Sequence, residues 1–364
     1  MRAGAIFCAL WLVGCGTAPE PPARDDTAQQ VRKLAAGLMA REGVPGLALV
    51  LLRNGDIVLE EAMGIANTQT RDPVRRDTVF EAASLGKPVF AYAVLQLVRR
   101  GALDLDAPLS QYLPPPYRHE SRPWLGGERP TAAVRDARLE RVTARMVLSH
   151  TSGLPNWTAD GGLRCEREPG SAWLYSGEGF VYLQRAVERI SGRNLRDLMR
   201  ETVFDPLRMH DSDFVWAPRY SGRFASGHDR SGAPVPPIPA TRPLAAVSLY
   251  TTAADYARFL AVFTAGDLPE DAARMLEPAV SVDAALSMSW GLGWALEGTP
   301  GEAAFFHWGA NPGYQAFATG NSASRRAMVL LTNSDHGLKV AAGLSRASGG
   351  AYRAFAFPML NPAD

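Results

Sequence analysis

The sequence predicts an α+β fold in which an antiparallel sheet is formed by both ends of the chain and is flanked by helices. Strand signals occur within residues 47–61 and again after residue 290, whereas the region between them is helical and rich in loops. Strands distant in the chain can share one sheet when the intervening region packs beside it. We therefore expect a helical region, about residues 90–240, inserted in the sheet-containing part.

The N-terminal part of the sheet is predicted from a helix followed by a hairpin. Residues 31–42 have a helical pattern, and residues 47–52 and 57–61 have the pattern of two strands. Asn54 and Gly55 lie between the two strands, and an Asn-Gly pair is a strong signal for a tight β-hairpin. The chain is thus expected to begin with a helix packed on two strands.

The rest of the chain divides into a helical middle and a second group of strands. A loop-rich segment at 102–142 and a proline-rich connector at 233–243 interrupt the middle, and the connector is expected to mark a boundary. Helices are expected at 143–148, 180–190, 195–204 and 252–263, strands near 290–296, 305–307, 314–319 and 328–332, and a last helix over 339–357.

The composition is that of a globular protein and excludes several functional classes. The chain has 364 residues, 46% hydrophobic and 21% charged, which is enough to bury a large core. Its formal net charge of +1 gives no reason to expect a nucleic-acid partner. No His, Cys or Asp spacing suggests a metal site, and we expect no cofactor.

The N-terminus has the features of a bacterial lipoprotein signal. An apolar run at residues 3–13 is too short to span a bilayer and ends in Leu12-Val13-Gly14-Cys15. We expect residues 1–14 to be a lipoprotein signal peptide, Cys15 to carry lipid and residues 15–30 to be a flexible tether. An ordinary signal or an uncleaved anchor is the alternative. The lipid anchor would hold the protein at a membrane, outside the cytoplasm, in the bacterial cell envelope.

The cysteines do not suggest a disulfide or a nucleophile. Cys8 would leave with the signal and Cys15 would be lipidated, so that Cys165 remains alone. Charged residues surround Cys165 in the sequence, without an evident catalytic partner. We expect it to be a surface or half-buried thiol.

Ser84 and Lys87 form the most informative pair in the chain. Residues three apart share one face of a helix, so the two side chains can meet. Of 38 basic residues only Lys33, Lys87 and Lys339 are lysines, and only Lys87 has a serine three residues before it. A buried lysine can become a neutral base, which arginine cannot. The alternative is an N-cap serine followed by a surface lysine.

Pro88 locates the start of the helix that carries this pair. Proline is excluded from helix interiors but tolerated in the first turn, which places the start at or near Ser84. The backbone N–H of Ser84 would then lie at the positive end of the helix, where developing negative charge is favoured. Arg99, Arg100 and Gly101 indicate the end of the helix.

Three motifs occur in order along the chain: Ser84-Leu85-Gly86-Lys87, Tyr175-Ser176-Gly177 and His307-Trp308-Gly309. Together they resemble the serine β-lactamase and penicillin-binding-protein superfamily, in particular its branch of class C β-lactamases, DD-peptidases and esterases. The resemblance covers about residues 31–340 and implies a β-lactamase/transpeptidase-like fold for a domain at 31–364. Other similar strings are Leu148-Ser149-His150-Thr151-Ser152-Gly153-Leu154-Pro155, Trp290-Gly291-Leu292-Gly293-Trp294 and Leu331-Thr332-Asn333.

The resemblance implies a role for each matching position. Ser84 would be the nucleophile that forms an acyl-enzyme, Lys87 would accept its proton, and Tyr175 would relay a proton to the leaving group. The N–H groups of Ser84 and Ala310 would form the oxyanion hole. The residues implied for substrate binding are His307, Gly309 and Gly177.

Two positions depart from the family pattern. Gly177 stands where the family has an asparagine, and His307 stands where it has a lysine that faces a substrate carboxylate. Gly177 has no side chain that could contact the substrate, and a histidine is mostly neutral near pH 7. Both changes therefore weaken recognition of β-lactams and of peptides ending in a carboxylate. At pH 5.5 His307 would become charged and restore some of that recognition, unless burial keeps its pKa lower.

Two functional hypotheses remain from the sequence. The first is a secreted, lipid-anchored serine hydrolase acting on an ester, amide or peptide, with a preference for esters and weak β-lactamase or D-peptidase activity. The second is a catalytically silent relative that binds a cell-wall peptide or an envelope protein. His150, in a Ser/Thr/Gly-rich turn, is expected to be structural. The Ala82-x-Ser84-x-Gly86 spacing resembles an α/β-hydrolase elbow, but the strand-rich ends argue against that fold.

Overall fold

The computed structural model describes Met1 and residues 24–124, 131–158 and 162–360. The predicted signal peptide, Cys15 and most of the predicted tether lie outside the described residues. The described helices are α1 (Arg24–Glu42), α2 (Gly86–Arg99), α3 (Ala144–Leu148), α4 (Gly177–Ser191), α5 (Leu195–Met199), α6 (Ala253–Ala261), α7 (Glu270–Met275) and α8 (Gly337–Ser348).

The strands build one large antiparallel sheet and two short ribbons. They are β1 (Gly46–Arg53), β2 (Asp56–Asn67), β3 (Asp72–Pro73), β4 (Phe80–Ala83), β5 (Arg118–Glu120), β6 (Thr131–Ala133), β7 (Leu249–Thr251), β8 (Val280–Asp283), β9 (Met288–Trp290), β10 (Ala295–Glu297), β11 (Ala304–Asn311), β12 (Tyr314–Asn321) and β13 (Arg326–Thr332). The large sheet has the order β3-β2-β1-β13-β12-β11-β10-β9-β8, and β4 pairs with β7 and β5 with β6.

The large sheet confirms that both ends of the chain contribute to one antiparallel sheet. The N-terminal strand β1 pairs with the C-terminal strand β13 over seven residues, from Leu47–Thr332 to Arg53–Arg326. The helical middle of the chain lies between these strands in sequence. The α+β fold predicted from the strand positions is therefore present.

Alternating side chains divide the interior into two cores, one on each face of the sheet. In β1, Leu47 and Leu49 belong to the core under α1 and α8, whereas Ala48 and Val50 belong to the core shared with α2 and α6. This alternation follows from the two-residue repeat of a strand. The second core continues without a break into α3 and α4, so the inserted helices and the sheet pack as one body.

Several boundaries differ from the expectations. Helix α1 begins at Arg24, inside the segment predicted to be a tether, and α8 ends at Ser348 rather than at 357. Gly349 has a positive φ and ends α8. The small residues of this segment did not indicate the end of the helix in the sequence. The proline-rich segment at 233–243 does not separate domains, because several of its residues line the cleft that contains Ser84. In residues 24–124, 131–158 and 162–360, no helix has the length and apolarity to cross a membrane.

Candidate active site

Ser84 lies in the turn between β4 and α2. Ala83, immediately before it, has a φ of 48°, in the left-handed region that non-glycine residues seldom adopt. Strain of this kind concentrates at functional sites. Helix α2 begins at Gly86, so Pro88 is the third residue of its first turn, as the sequence indicated. The turn places Ser84 at the helix N-terminus, facing a cleft.

Lys87 is buried directly behind Ser84. Its ammonium nitrogen Nζ lies 2.8 Å from Ser84 Oγ and 2.6 Å from the carbonyl oxygen of Ala246, and the residue is 1% exposed. No carboxylate forms an ion pair with it among the described residues. Burial lowers the pKa of Lys87 well below its ordinary value. A neutral amine at hydrogen-bond distance from Ser84 Oγ can accept the serine proton.

Tyr175 packs against the same lysine. Lys87 Nζ lies 4.9 Å from the centre of the Tyr175 ring, and the tyrosine is nearly fully buried. Burial raises the pKa of Tyr175, and the nearby Ser84 hydroxyl offsets part of this effect. Tyr175 is therefore a neutral phenol at physiological pH and can donate a proton. The structure brings together the three predicted catalytic side chains.

The N–H of Ala310 is directed toward the same cleft. Asn311 and Tyr314 are paired across the two-residue turn between β11 and β12. The pair that closes such a turn exchanges hydrogen bonds, so the next pair, Ala310 and Gln315, does not. The N–H of Ala310 consequently points away from β12, and Ala310 lines the same cleft as Ser84. The oxyanion hole formed by Ser84 and Ala310 stays a prediction.

Gly309 has a structural role instead of the predicted contact with substrate. It is buried and does not line the cleft. A Cβ atom at this position would overlap the carbonyl oxygen of Ala82. A residue without a side chain is therefore needed for β11 to approach β4, and this approach is what places Ala310 beside Ser84.

His307 does not face the substrate as the sequence predicted. Its side chain is fully buried, and the neighbouring Trp308 and Ala310 line the cleft in its place. Its Nδ1 donates to the carbonyl oxygen of Trp308 at 2.7 Å, so Nε2 carries no proton in the neutral ring. Burial and then the charge of Lys87 lower the pKa of His307 to about 3. Burial therefore keeps the pKa of His307 below 5.5, which is the exception foreseen in the sequence analysis.

Gly177 also differs from its predicted role in substrate binding. It is buried at the start of α4, and a Cβ atom there would lie 2.7 Å from the Trp157 ring and from the Asn156 carbonyl oxygen. The family's asparagine side chain would not fit beneath Trp157. Asn156 lines the cleft, and its Oδ1 accepts a hydrogen bond from the Gly177 N–H at 3.1 Å. Asn156 thus supplies a carboxamide group to the cleft close to Gly177, the position where the family has an asparagine.

Two other residues singled out from the sequence are structural. His150 is buried, its Nδ1 accepts a hydrogen bond from the Ser176 N–H, and its ring packs 4.4 Å from that of Tyr175. It supports the catalytic tyrosine from behind. Cys165 is buried, and burial raises the pKa of its thiol to about 11, which keeps it protonated and unreactive.

The cleft in front of Ser84 has a volume of about 560 Å³ and mostly apolar or aromatic walls. Among the described residues that line it, none is a lysine, an arginine or a histidine, and Glu81 is the one charged side chain. Aromatic walls are supplied by Trp124, Trp157, Tyr175, Tyr250, Trp308 and Tyr314. The part of the chain that the structure describes contains no group of three His, Cys, Asp or Glu side chains able to hold a metal ion.

Sequence reasoning missed Glu81, which lies on β4 three residues before Ser84. Its Oε2 accepts a hydrogen bond of 2.7 Å from Asn311 Nδ2. Burial raises the pKa of Glu81 to about 7, and the bond from Asn311 opposes part of that rise. The signal was available in the sequence: Phe80 and Ala82 are apolar on either side, so a strand would direct Glu81 to the opposite face.

The fold and the cleft are those of a serine hydrolase, with a buried lysine and a buried tyrosine beside Ser84. Residues 31–351 match the family model described as Beta-lactamase. The chain therefore belongs to the β-lactamase family, and the family predicted from its three motifs is confirmed.

Relatives with known names include both esterases and penicillin-binding proteins. The chain is 31% identical over 353 residues to Esterase EstB of Burkholderia gladioli, covering 79% of this chain and 86% of that protein. It is 28% identical over 333 residues to Penicillin-binding protein 4 of Amycolatopsis lactamdurans, covering 81% and 82% respectively. The solved structure of D-alanine carboxypeptidase AmpC from Burkholderia cenocepacia superposes with a TM-score of 0.72 at 19% identity, over 91% of this chain and 99% of that one. This structural similarity establishes the fold.

Proposed function

We propose that this protein hydrolyses esters through an acyl-enzyme on Ser84, in preference to β-lactams and to peptides that end in a carboxylate. The observation that carries the proposal is the lining of the cleft, which is apolar and aromatic and has no cationic side chain among its described residues. The 31% identity to a protein named as an esterase supports it.

The reaction uses the groups around Ser84 in sequence. Neutral Lys87 takes the proton of Ser84 Oγ, which attacks the ester carbonyl carbon. The N–H groups of Ser84 and Ala310 stabilise the oxyanion that forms, an interaction worth about 3–4 kcal/mol of barrier per donor. Tyr175 or protonated Lys87 returns a proton to the departing alkoxide, and the alcohol leaves. Water then attacks the acyl-enzyme by the reverse proton path and releases the acid.

Carboxylate-bearing substrates lose a contact that the family's lysine supplies. His307 is buried and neutral, and Trp308 covers the corresponding part of the cleft wall. Loss of one hydrogen bond to a charged group costs about 1.5–3 kcal/mol, roughly ten- to a hundredfold in affinity. We therefore expect β-lactams to acylate Ser84 slowly.

The test compares two chromogenic substrates on one preparation. We expect kcat/KM for 4-nitrophenyl butyrate to exceed that for a chromogenic cephalosporin at least tenfold, and Ser84→Ala to abolish both activities while the circular dichroism spectrum is unchanged. Comparable values, or a preference for the cephalosporin, would make this protein a β-lactamase and contradict the proposal.

The proposed site of action is the bacterial cell envelope, with the protein held at a membrane through lipid on Cys15. The support is the Leu12-Val13-Gly14-Cys15 sequence after a short apolar run. Full-length protein should partition into the membrane fraction, and Cys15→Ser should release it. Cys8→Ser is the matched control, because it also removes a thiol from the leader segment but leaves Cys15. Equal partitioning of the Cys15 variant and the control would exclude the anchor.

A further inference from the structure

The cleft has one carboxylate among its described lining residues, and it lies next to the predicted oxyanion hole. Glu81 precedes Ser84 by three residues on β4, and its hydrogen-bond donor Asn311 directly follows Ala310 on β11. The hydrogen bond between Asn311 and Glu81 therefore joins the segment that carries Ala310 to the segment that carries Ser84. The catalytic steps described above make no use of Glu81, although a half-buried acid with no cationic partner among the described residues is unfavourable.

Aromatic rings surround the same part of the cleft. Tyr250 pairs opposite Glu81 in the β4–β7 ribbon, and Tyr314 pairs opposite Asn311, whose amide donates to the Glu81 carboxylate. Trp308 and Trp157 complete the wall. Faces of aromatic rings attract cations, and the attraction increases when water is excluded. A carboxylate among aromatic rings is chemically suited to an ammonium group.

We propose that the cleft selects substrates that carry an ammonium group close to the bond that is cleaved, with Glu81 as the specificity-determining residue. The inference deepens the proposed ester hydrolysis and rests on it for the bond that is broken. The substrate class is therefore a cationic ester. Neutral apolar esters are accepted as well, but they gain nothing from the carboxylate.

The charge of Glu81 has opposite effects on the two kinds of ester. An ionised carboxylate beside the oxyanion hole repels the negative charge that develops on the carbonyl oxygen of a neutral ester. An ammonium group on the substrate would lie near both negative charges and offset this repulsion. Ionisation of Glu81 should thus favour the cationic ester over its neutral counterpart.

The two tyrosines and the histidine near Glu81 do not change charge near neutral pH. Tyr250 accepts a hydrogen bond from Ala240 N–H, Tyr314 donates one to the carbonyl oxygen of Ala225, and burial raises the pKa of both tyrosines. His307 stays neutral because its pKa is lowered. Lys87, on α2, is buried behind Ser84 and acts on every substrate. Because Glu81→Gln retains Lys87, an effect of Lys87 on the pH dependence would remain in this variant, whereas an effect of Glu81 would be lost.

The turnover test uses two esters that differ in one atom. Acetylcholine has a quaternary nitrogen where 3,3-dimethylbutyl acetate has a carbon, so the substrate charge does not titrate. We expect the ratio of their kcat/KM values to rise about tenfold between pH 5.5 and pH 8 in the wild type and to stay constant in Glu81→Gln. Glutamine can keep the hydrogen bond to Asn311. Glu302→Gln, at an exposed carboxylate in the β10–β11 region, is the matched control and should behave as the wild type.

A binding test on Ser84→Ala protein separates this inference from the proposed hydrolysis. Choline and 3,3-dimethylbutan-1-ol can be titrated by tryptophan fluorescence, since Trp157 and Trp308 line the cleft. When Glu81 is present, choline should bind about tenfold more tightly at pH 8 than at pH 5.5. In Glu81→Gln its affinity should be the same at both pH values. If this holds but no ester is hydrolysed, the proposed function is wrong and the cation site stands. A ratio or a choline affinity that is independent of pH, or that changes equally in Glu81→Gln, would overturn the inference.

Discussion

The chemistry of the site depends on the burial of individual residues. Lys87 is useful because it is desolvated and has no carboxylate beside it, which favours its neutral form. The activity that requires neutral Lys87 should therefore extend to lower pH than the ordinary pKa of lysine would permit. An arginine at this position could not act in the same way, since it stays charged.

The buried position of His307 leads to a pH prediction. Its pKa of about 3 is below the unperturbed value, so lowering the pH from 7.5 to 5.5 leaves the ring neutral. The ratio of kcat/KM for a cephalosporin to kcat/KM for a neutral nitrophenyl ester should therefore show no His307-dependent rise over this range. Measuring the ratio in the wild type and in His307→Gln tests this. A rise toward pH 5.5 that is absent from the variant would show that His307 becomes charged and meets the carboxylate.

The catalytic residues were predictable because their spacing reflects local geometry. Ser84 and Lys87 are adjacent on one helical turn, and their hydrogen bond of 2.8 Å follows from that adjacency. The orientation of His307 was not predictable in the same way. Which face of β11 points to the cleft depends on its register with β12 and on the approach of β4, and both are tertiary features.

At the level of elements, close contacts explain why glycines stand at two positions beside the cleft. Gly309 allows β11 to lie against β4, and Gly177 allows the Trp157 ring to lie against the start of α4. The sequence correctly placed a helix at 180–190, although α4 begins earlier, at Gly177, and ends before Gly192, which adopts the left-handed conformation. It did not reveal the contact with Trp157, because that contact joins a loop to a helix twenty residues further along.

The contact between Gly177 and Trp157 predicts the outcome of restoring the family residue. Gly177→Asn should destabilise the protein by about 1–3 kcal/mol, because its Cβ atom would displace the Trp157 ring or the Asn156 carbonyl. It should not raise cephalosporin hydrolysis. Thermal unfolding and cephalosporin kcat/KM are the measurements, with Gly37→Asn on α1 as the control, because a Cβ atom at Gly37 would contact nothing within 4 Å. A stable Gly177→Asn variant with improved cephalosporin turnover would show that the asparagine fits.

At the scale of the whole molecule, one sheet drawn from both chain ends holds the site. Ala310 lies in this sheet, whereas Glu81 lies in the separate β4–β7 ribbon, more than two hundred residues earlier in sequence. The close packing of β11 against β4 brings the two residues together. The composition of the strands predicted this sheet. Strand β8, helix α7 and the cleft wall at 235–240 were not predicted, since short segments and proline-rich loops carry little periodic signal.

Glu81, half-buried in the cleft, also links pH to the stability of the whole chain. The folded-state pKa of Glu81, about 7, lies above its ordinary value of 4.5, so the unfolded chain releases this proton at lower pH than the folded one. Stability therefore falls as the pH rises through this window, by up to about 3 kcal/mol from this group. Glu81→Gln should be more stable than the wild type at pH 8 but not at pH 4. Denaturant unfolding of both proteins at the two pH values tests this; an unchanged difference between them would contradict the raised pKa.

We propose that Ser84 is an activated nucleophile in an accessible cleft, and covalent labelling tests this most directly. Purified protein is treated with a serine-reactive fluorophosphonate, and the intact mass and the modified peptide are determined by mass spectrometry. We expect one adduct per chain, located on Ser84, and no adduct on Ser84→Ala. Absence of labelling of the folded wild type, or an adduct on another residue, would contradict it and favour a catalytically silent protein.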